Sequence, residues 1–364
     1  MNNSALISKV FRKEVLAMVA YKVANAQGFI KLDAMENPYS WPDEIKSQWL
    51  AHLRDCQLNR YPDPEAIQLI KTIRALDHLP EQFDILLGNG SDEIIQLLLM
   101  ALPEGSSVLA PAPGFVMYRQ ISDSLGLNYI GVPVLEEGFD LDLPAMLSAI
   151  EKHQPLLIFL AYPNNPTSNL FNADAIHAII KMAPGLVVVD EAYAPFANAS
   201  FINQLKVYDN LLIMRTVSKL GLAGLRLGYV MGQPALIEQL NKIRLPYNIN
   251  CLTQVTADFA LTYKDFFAQQ TESICEQRTY VFNELVKLAS VIAYPSAANF
   301  ILFKVPHNKA TDIFLSIKHQ GILIKNMTGQ GGLLTDCLRV TIGKHDENEA
   351  FLAALRKSLA DLTL

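Results

Sequence analysis

Three short apolar runs in the middle of the chain each end in polar residues that could carry out chemistry. Runs 156–160, 186–189 and 211–214 lead, in turn, to Asn165, to Asp190 with Tyr193, and to Ser218 with Lys219. Because each run is apolar throughout and of strand length, the pattern predicts strands buried on both faces, as in a parallel sheet covered by helices. Ligands of such sheets bind at the carboxyl ends of the strands. These five side chains are therefore predicted to converge on one site.

A lysine, an acid and hydrogen-bond donors at one edge of a sheet suit pyridoxal phosphate. This cofactor needs a lysine to hold it as a Schiff base, an acid beside its pyridine nitrogen and a cup for its phosphate. Asp190 would keep the ring nitrogen protonated, which makes the ring an electron sink. Asn165 and Tyr193 could donate hydrogen bonds to the 3′-oxygen of the ring. Phe115 could stack on the ring face, although its spacing fits a core aromatic equally well.

Phosphate binding would depend on a glycine turn that opens a helix. The predicted contributors are Gly90, Ser91, Asp92, Thr216, Ser218 and Arg226. The first three precede an apolar helical stretch, so free backbone amides and the helix dipole can hold a dianion there. The other three add hydroxyl donors and a fork of positive charge.

Two other interpretations of these segments lack the parts that they require. Asp190 after an apolar run fits the metal-binding acid of a P-loop nucleotidase, but the chain contains no GxxxxGK[ST] phosphate loop. Gly88 and Gly90 lack the third glycine of a dinucleotide fingerprint, which disfavours NAD. The four cysteines have no CxxC spacing and no histidine pattern nearby, so we expect reduced thiols and no metal site.

Four segments together resemble the motifs of fold-type I (class I/II-type) aminotransferases. They are LLGNGSDE, AYPNNPTS, VVVDEAY and TVSKLGLAGLRLGY, in the family's order. The segments MENPY, LNRYPDP and CLRVTIG resemble the histidinol-phosphate aminotransferases within that superfamily, and the match covers essentially the whole chain. The resemblance implies that Lys219 is the Schiff-base lysine and Asp190 the partner of the pyridine nitrogen. It implies that Asn165 and Tyr193 are the partners of the 3′-oxygen.

The same resemblance implies further site residues outside the three strand ends. Tyr61 matches a tyrosine that reaches the cofactor phosphate of the neighbouring subunit, which implies a homodimer with shared active sites. Arg339 matches the family's arginine for the substrate anion, and Tyr21 and Asn37 match positions that line the substrate pocket. Lys325 stands where many members have a second arginine for the substrate phosphate. A lysine supplies a point charge there rather than a planar fork.

The elements that must position these residues predict an α/β fold. We expect a large, doubly wound and mostly parallel sheet domain at residues 45–250, of the fold-type I kind that the resemblance implies. Residues 1–44 form an N-terminal arm that contributes to a smaller α/β domain, whose main part is residues 251–364. A helix is predicted over residues 272–288 of that smaller domain.

The implied reaction is transfer of an amino group between L-histidinol phosphate and 2-oxoglutarate, with glutamate as the other amino compound, in histidine biosynthesis. An aromatic amino-acid aminotransferase and a threonine-phosphate decarboxylase remain open, because both share the cofactor residues. A regulator with an aminotransferase-like domain would carry a separate basic DNA-binding module. This chain has a net charge of −6 and its whole length suits the enzyme fold, which disfavours a regulator.

Charge and hydropathy bound the partners and the location. A net charge of −6 argues against nucleic acid or an anionic membrane as a general partner. The most apolar run, residues 156–162, is far shorter than the roughly 20 residues that a membrane-spanning helix needs. With the reduced thiols expected above, this favours a cytoplasmic protein; the resemblance implies that its partners are its small-molecule substrates and a second copy of itself.

Overall fold

A computed structural model describes residues 3–20 and 23–361. Its α-helices are α1 (Asn3–Val10), α2 (Lys13–Ala17), α3 (Asp43–Leu53), α4 (Ile67–Leu76), α5 (Ser91–Met100), α6 (Val116–Leu125), α7 (Leu143–His153), α8 (Ala173–Met182), α9 (Pro234–Ile243), α10 (Cys251–Leu261), α11 (Lys264–Val286), α12 (Ala310–His319) and α13 (His345–Ala360). Its strands are β1 (Ile30–Lys31), β2 (Asp84–Gly88), β3 (Ser107–Ala112), β4 (Asn128–Pro133), β5 (Leu157–Ala161), β6 (Leu186–Asp190), β7 (Leu211–Thr216), β8 (Gly228–Gly232), β9 (Ile292–Ala293), β10 (Phe300–Lys304), β11 (Ile322–Leu323), β12 (Lys325–Asn326) and β13 (Cys337–Thr341). Short 3-10 turns lie at Ala194–Phe196, Ile202–Lys206, Ser218–Leu220, Ala223–Leu225, Thr328–Gln330 and Gly332–Leu334.

The larger sheet has seven strands in the order β2-β8-β7-β6-β5-β3-β4. Strands β3, β4, β5, β6 and β7 pair in parallel, whereas β8 runs antiparallel to both of its neighbours, β2 and β7. The predicted α/β fold with a mostly parallel sheet is therefore confirmed.

The apolar runs of this sheet are buried on both of its faces, as their composition predicts. In β5, Leu157 and Phe159 join one apolar cluster with residues of α5, α6 and α9. Ile158 and Leu160 join the opposite cluster with residues of α4, α7 and α8. Since successive side chains of a strand point to opposite faces, helices on both sides require every position of the run to be apolar.

A smaller antiparallel sheet occupies the C-terminal third, with the strand order β12-β13-β10-β9. Strands β10 and β13 share an apolar cluster with α11, α12 and α13. Strand β1 pairs in parallel with β11, with Ile30 opposite Ile322, so the N-terminal segment is joined to the C-terminal third.

The domain boundaries at residues 45 and 250 stay predictions. In the described parts of the chain, no helix combines the length and apolarity that crossing a membrane requires.

Candidate active site

The carboxyl ends of β5, β6 and β7 open onto one cavity of about 260 Å³. The three strands are parallel neighbours, with Ala161 opposite Asp190 and Asp190 opposite Met214, so their following residues emerge at the same edge. Ten predicted site residues line this cavity: Ser91, Asp92, Phe115, Asn165, Asp190, Tyr193, Thr216, Ser218, Lys219 and Arg226. The structure thus brings together residues that are far apart in sequence.

Lys219 lies in the 3-10 turn that directly follows β7. Its Nζ donates to the backbone oxygen of Ala34 at 3.3 Å. This bond connects the lysine to the N-terminal segment, whose Ala34 also lines the cavity. Burial and the nearby charge of Arg339 lower the pKa of Lys219 to about 8. A lysine with this pKa is neutral more often than an exposed one near neutral pH, so it can act as a nucleophile and as a base.

Asp190 ends β6 and is 4% exposed. Its Oδ1 accepts a hydrogen bond from the Ala192 backbone amide at 3.0 Å, and its Oδ2 accepts one from the Tyr118 hydroxyl at 2.5 Å. Burial raises the pKa of Asp190 to about 6, and the two hydrogen bonds oppose that rise. The two hydrogen bonds therefore favour the carboxylate form, which is the form that a partner for a protonated ring nitrogen must have.

A chain of hydrogen bonds joins Arg339 to the other residues at the strand ends. Arg339 extends from β13, and its Nη1 donates to Asn165 Oδ1 at 2.6 Å while its Nη2 donates to the Asp33 backbone oxygen at 3.0 Å. Asn165 Nδ2 in turn donates to the Tyr193 hydroxyl at 3.2 Å. Burial raises the pKa of Tyr193, which keeps its hydroxyl protonated and able to donate.

The start of α5 has the donors that a phosphate needs. Gly90 is the N-cap residue with φ of 86°, and no side chain caps the first turn. A Cβ on Gly90 would lie 2.6 Å from Nη2 of Arg226, and one on Gly228 would lie 2.5 Å from the Ser91 amide. The two glycines therefore let a helix N-terminus, a guanidinium and β8 pack side by side. This donor set fits the phosphate of pyridoxal phosphate.

Asn37 lies behind the lysine turn, outside the lining of the cavity. Its Nδ2 donates to the Leu220 backbone oxygen at 3.2 Å and to Gln270 Oε1 at 3.0 Å. Its Oδ1 accepts from the Tyr39 amide at 2.8 Å. Asn37 therefore links the N-terminal segment, the turn that carries Lys219 and helix α11. The sequence did not predict the participation of Gln270 in this arrangement.

Tyr61 is not among the residues that line the cavity and lies on the surface. It is 81% exposed, and its ring stacks on that of Tyr247, with ring centroids 4.4 Å apart. Lys325 is directly opposite Arg339 in the β12–β13 pair. The predicted pocket residue Tyr21 lies outside the described residues. Across residues 3–20 and 23–361, no group of three His, Cys, Asp or Glu side chains could hold a metal ion.

Comparison with known proteins extends these observations. A model of the aminotransferase class I and II family matches residues 27–355. Histidinol-phosphate aminotransferase 2 of Nitrosococcus oceani is 55% identical over 351 residues, which cover 96% of this chain and 97% of that protein. Histidinol-phosphate aminotransferase 2 of Cupriavidus pinatubonensis is 47% identical over 98% of each chain. The structure of histidinol-phosphate aminotransferase from Sinorhizobium meliloti, in complex with pyridoxal-5′-phosphate, has the same fold, with a TM-score of 0.86, 22% identity and coverage of 97% of this chain and 98% of that one.

Proposed function

This chain belongs to the aminotransferase class I and II family, and from that premise we propose that it transfers an amino group between L-histidinol phosphate and 2-oxoglutarate. The relatives at 55% and 47% identity are named for the first of these substrates. Both half-reactions would use one site, in which the phosphate of one substrate and the α-carboxylate of the other alternate on Arg339.

The enzyme depends on pyridoxal phosphate, as its family does. When bound, this cofactor supplies an electron sink for the bonding electrons that a departing Cα proton leaves behind. We assign Lys219 as its covalent attachment, Asp190 to its ring nitrogen, and Asn165 and Tyr193 to its 3′-oxygen. The phosphate would be held by the backbone amides of Ser91 and Asp92, which follow the turn at Gly90, and by the side chains of Thr216, Ser218 and Arg226. Phe115, which lines the same cavity, would pack on the ring face.

Lys219 is also the proposed base. Its lowered pKa, about 8, leaves part of the amine neutral at neutral pH and able to take the proton from the substrate Cα. Nζ lies over the face of the Tyr193 ring, 5.7 Å from its centroid. The same Nζ would then deliver this proton to the C4′ carbon of the bound cofactor rather than back to Cα.

The attachment to Lys219 has a direct test. Borohydride treatment of the cofactor-loaded protein, followed by peptide mass spectrometry, should find the pyridoxyl group on Lys219. Recovery of the label on another lysine would contradict the assignment of the whole site.

The observation that carries the choice of a phosphorylated substrate is the register of β12 and β13. Lys325 pairs directly with Arg339, and residues directly opposite on antiparallel strands project from the same face with Cβ atoms about 4.5–5.5 Å apart. Arg339 donates to Asn165, a residue that lines the cavity, at 2.6 Å, and Lys325 is its cross-strand neighbour. A phosphate dianion can engage both charges, whereas a single carboxylate is satisfied by the arginine fork alone.

Tyr61 supports a homodimer with shared active sites. Its exposed ring and that of Tyr247 stack on the surface, away from the cavity of their own chain. We propose that Tyr61 reaches the cofactor phosphate of the partner subunit, and that the dimer works in the cytoplasm.

A substrate panel on the purified, cofactor-loaded protein tests the proposal. Single half-reactions are followed by the absorbance of the cofactor with histidinol phosphate, glutamate, phenylalanine, tyrosine and threonine phosphate. Histidinol phosphate and glutamate should react fastest. Faster reaction of phenylalanine and tyrosine than of histidinol phosphate would assign an aromatic aminotransferase, and release of carbon dioxide from threonine phosphate would assign a decarboxylase.

A further inference from the structure

Tyr118 makes a buried contact with Asp190 that none of the sequence motifs indicates. It lies on α6 and is 1% exposed, and its hydroxyl donates to Asp190 Oδ2 at 2.5 Å. Its ring is held from two sides. It stacks on Phe159 of β5 with centroids 4.4 Å apart and planes 4° apart, and meets Phe115 edge-on at 5.5 Å.

We propose that Tyr118 is a positioning residue that holds Asp190 ionised and oriented toward the ring nitrogen of the cofactor. The inference rests on the role proposed above for Asp190. The two carboxylate oxygens have separate donors on different elements, namely the Ala192 amide on Oδ1 and Tyr118 on Oδ2. Together these donors fix the plane of the carboxylate, which a single donor would leave free to rotate.

The hydrogen bond also matters for the charge of Asp190. A buried carboxylate without donors is driven toward its neutral form by desolvation, whereas a donor to the charged form favours ionisation. Burial raises the pKa of Asp190, and the bond from Tyr118 is the largest influence that lowers it. Removal of the hydroxyl should therefore lower the ionised fraction of Asp190, the proposed partner of the protonated ring nitrogen. The aromatic packing of position 118 would stay in place.

Binding measurements with two cofactors can separate this role from simple packing. The equilibrium affinities of the apoprotein are measured for pyridoxal phosphate and for the 1-deaza analogue, in which carbon replaces the ring nitrogen. The analogue offers Asp190 no ring nitrogen to bind. Tyr118→Phe should weaken pyridoxal phosphate binding roughly tenfold or more, the range of a hydrogen bond to a charged group, and should leave the affinity for the analogue nearly unchanged.

Tyr129→Phe is the matched control. Tyr129 packs against the same apolar cluster as Tyr118, but it lies on β4, three strands away from β6 in the sheet order. It should leave both affinities nearly unchanged. A second background tests the route of the effect, since Tyr118→Phe should lose most of its influence on binding when Asp190 is already Asn. The urea midpoint of each variant confirms that it is folded.

Each other outcome overturns the inference in a different way. An equal loss for both cofactors in Tyr118→Phe would reduce Tyr118 to a packing residue, and no loss for either would remove its role. If the unmodified protein binds the two cofactors equally well, the assignment of Asp190 fails first, and the role of Tyr118 fails with it. If Tyr118→Phe does not fold, Asp190→Asn provides the test. The inference is overturned if the unmodified protein binds pyridoxal phosphate and the analogue unequally and Asp190→Asn keeps that preference undiminished.

Discussion

Lys219 lies among opposing charges whose balance decides how basic its amine is. Burial and the charges of Arg339 and Arg226 lower its pKa to about 8, whereas Glu36 and Asp92 raise it. Because only the neutral amine attacks a carbonyl, capture of pyridoxal phosphate by the apoprotein should rise with pH through a midpoint near 8. Arg339→Gln removes a repelling charge and should move that midpoint up, and Glu36→Gln removes an attracting one and should move it down.

Stopped-flow absorbance at a series of pH values measures these midpoints. The two substitutions have opposite expected signs, so each serves as the control for the other. A shift in the same direction for both would mean that a general disturbance of the site, rather than the local charges, governs Lys219.

Arg339 and Lys325 should differ in their effects on the two substrates. Arg339→Ala should slow both half-reactions, since both substrate anions are proposed to bind its fork of donors. Lys325→Ala should slow histidinol phosphate more than glutamate, by roughly ten- to hundredfold for a lost charged hydrogen bond. Lys304→Ala removes a lysine from β10, which pairs with the other edge of β13, and is the matched control. Single-turnover rates measure the effects, and equal losses for both substrates in Lys325→Ala would place Lys325 outside the phosphate pocket.

At the residue scale, the sequence predicted the positions that directly follow a buried strand. Asp190 and Lys219 could be assigned to one site because parallel strands end at a common edge. Tyr118 and Gln270 could not, because their contacts join residues that are 72 and 233 positions apart. A tyrosine or glutamine on the buried face of a helix carries no local signal of its partner. Tertiary packing alone decides it.

At the scale of elements, a buried ion pair holds the ends of β6 and β7 together beside the site. Arg215 of β7 donates to Glu191 Oε2 at 2.6 Å and to Asp77 Oδ1 at 2.7 Å. Glu191 directly follows Asp190 and also accepts from the Phe201 amide at 2.6 Å, so it closes the loop that carries Tyr193. Burial lowers the pKa of Arg215, but the carboxylates of Asp77 and Glu191 outweigh it and raise the pKa above its ordinary value.

Arg215→Met should lower the free energy of unfolding by roughly 3–5 kcal/mol, because it leaves two carboxylates buried without their common partner. Urea unfolding followed by circular dichroism measures the change. Arg356→Met is the control, since Arg356 pairs with Glu284 on the surface, where an ion pair adds little to stability. Similar changes in both variants would show that the buried position of Arg215 confers no special stability.

The strands were more predictable than their directions and the bounds of the helices. Continuous apolar runs identified β5, β6 and β7, but nothing in β8 marked it as antiparallel. Its direction follows from its connection, since residues 217–227 form two 3-10 turns rather than the longer helical crossover that a parallel pair needs. The helix predicted over residues 272–288 begins earlier, at Lys264, where no side chain caps the first turn, and it ends at Val286.

At the scale of the whole molecule, mixed dimers can test whether sites are shared. Tyr61→Phe and Lys219→Ala are made in differently tagged chains and combined. If Tyr61 serves the partner, the Tyr61→Phe chain keeps Lys219 and receives an intact tyrosine from the other subunit. That site should hold pyridoxal phosphate as tightly as the unmodified enzyme, and the mixed dimer should have about half of the normal activity.

The Tyr61→Phe homodimer is the reference, and it should release the cofactor more readily during gel filtration. Were Tyr61 to act within its own chain, the mixed dimer would retain the cofactor no better than this homodimer. A fully active monomer would also contradict the shared site.

The chain of bonds from Arg339 through Asn165 to Tyr193 has a consequence for the whole binding equilibrium. Arg339 belongs to the C-terminal sheet, whereas Asn165 and Tyr193 follow strands of the seven-stranded sheet. Asn165 bonds to both Arg339 and Tyr193, so its side chain is shared between the proposed substrate and cofactor positions. Sites that share a side chain have a coupling free energy, and thermodynamic linkage makes it reciprocal. A dicarboxylate that tightens cofactor binding by some factor must itself be bound more tightly, by that same factor, once the cofactor is in place.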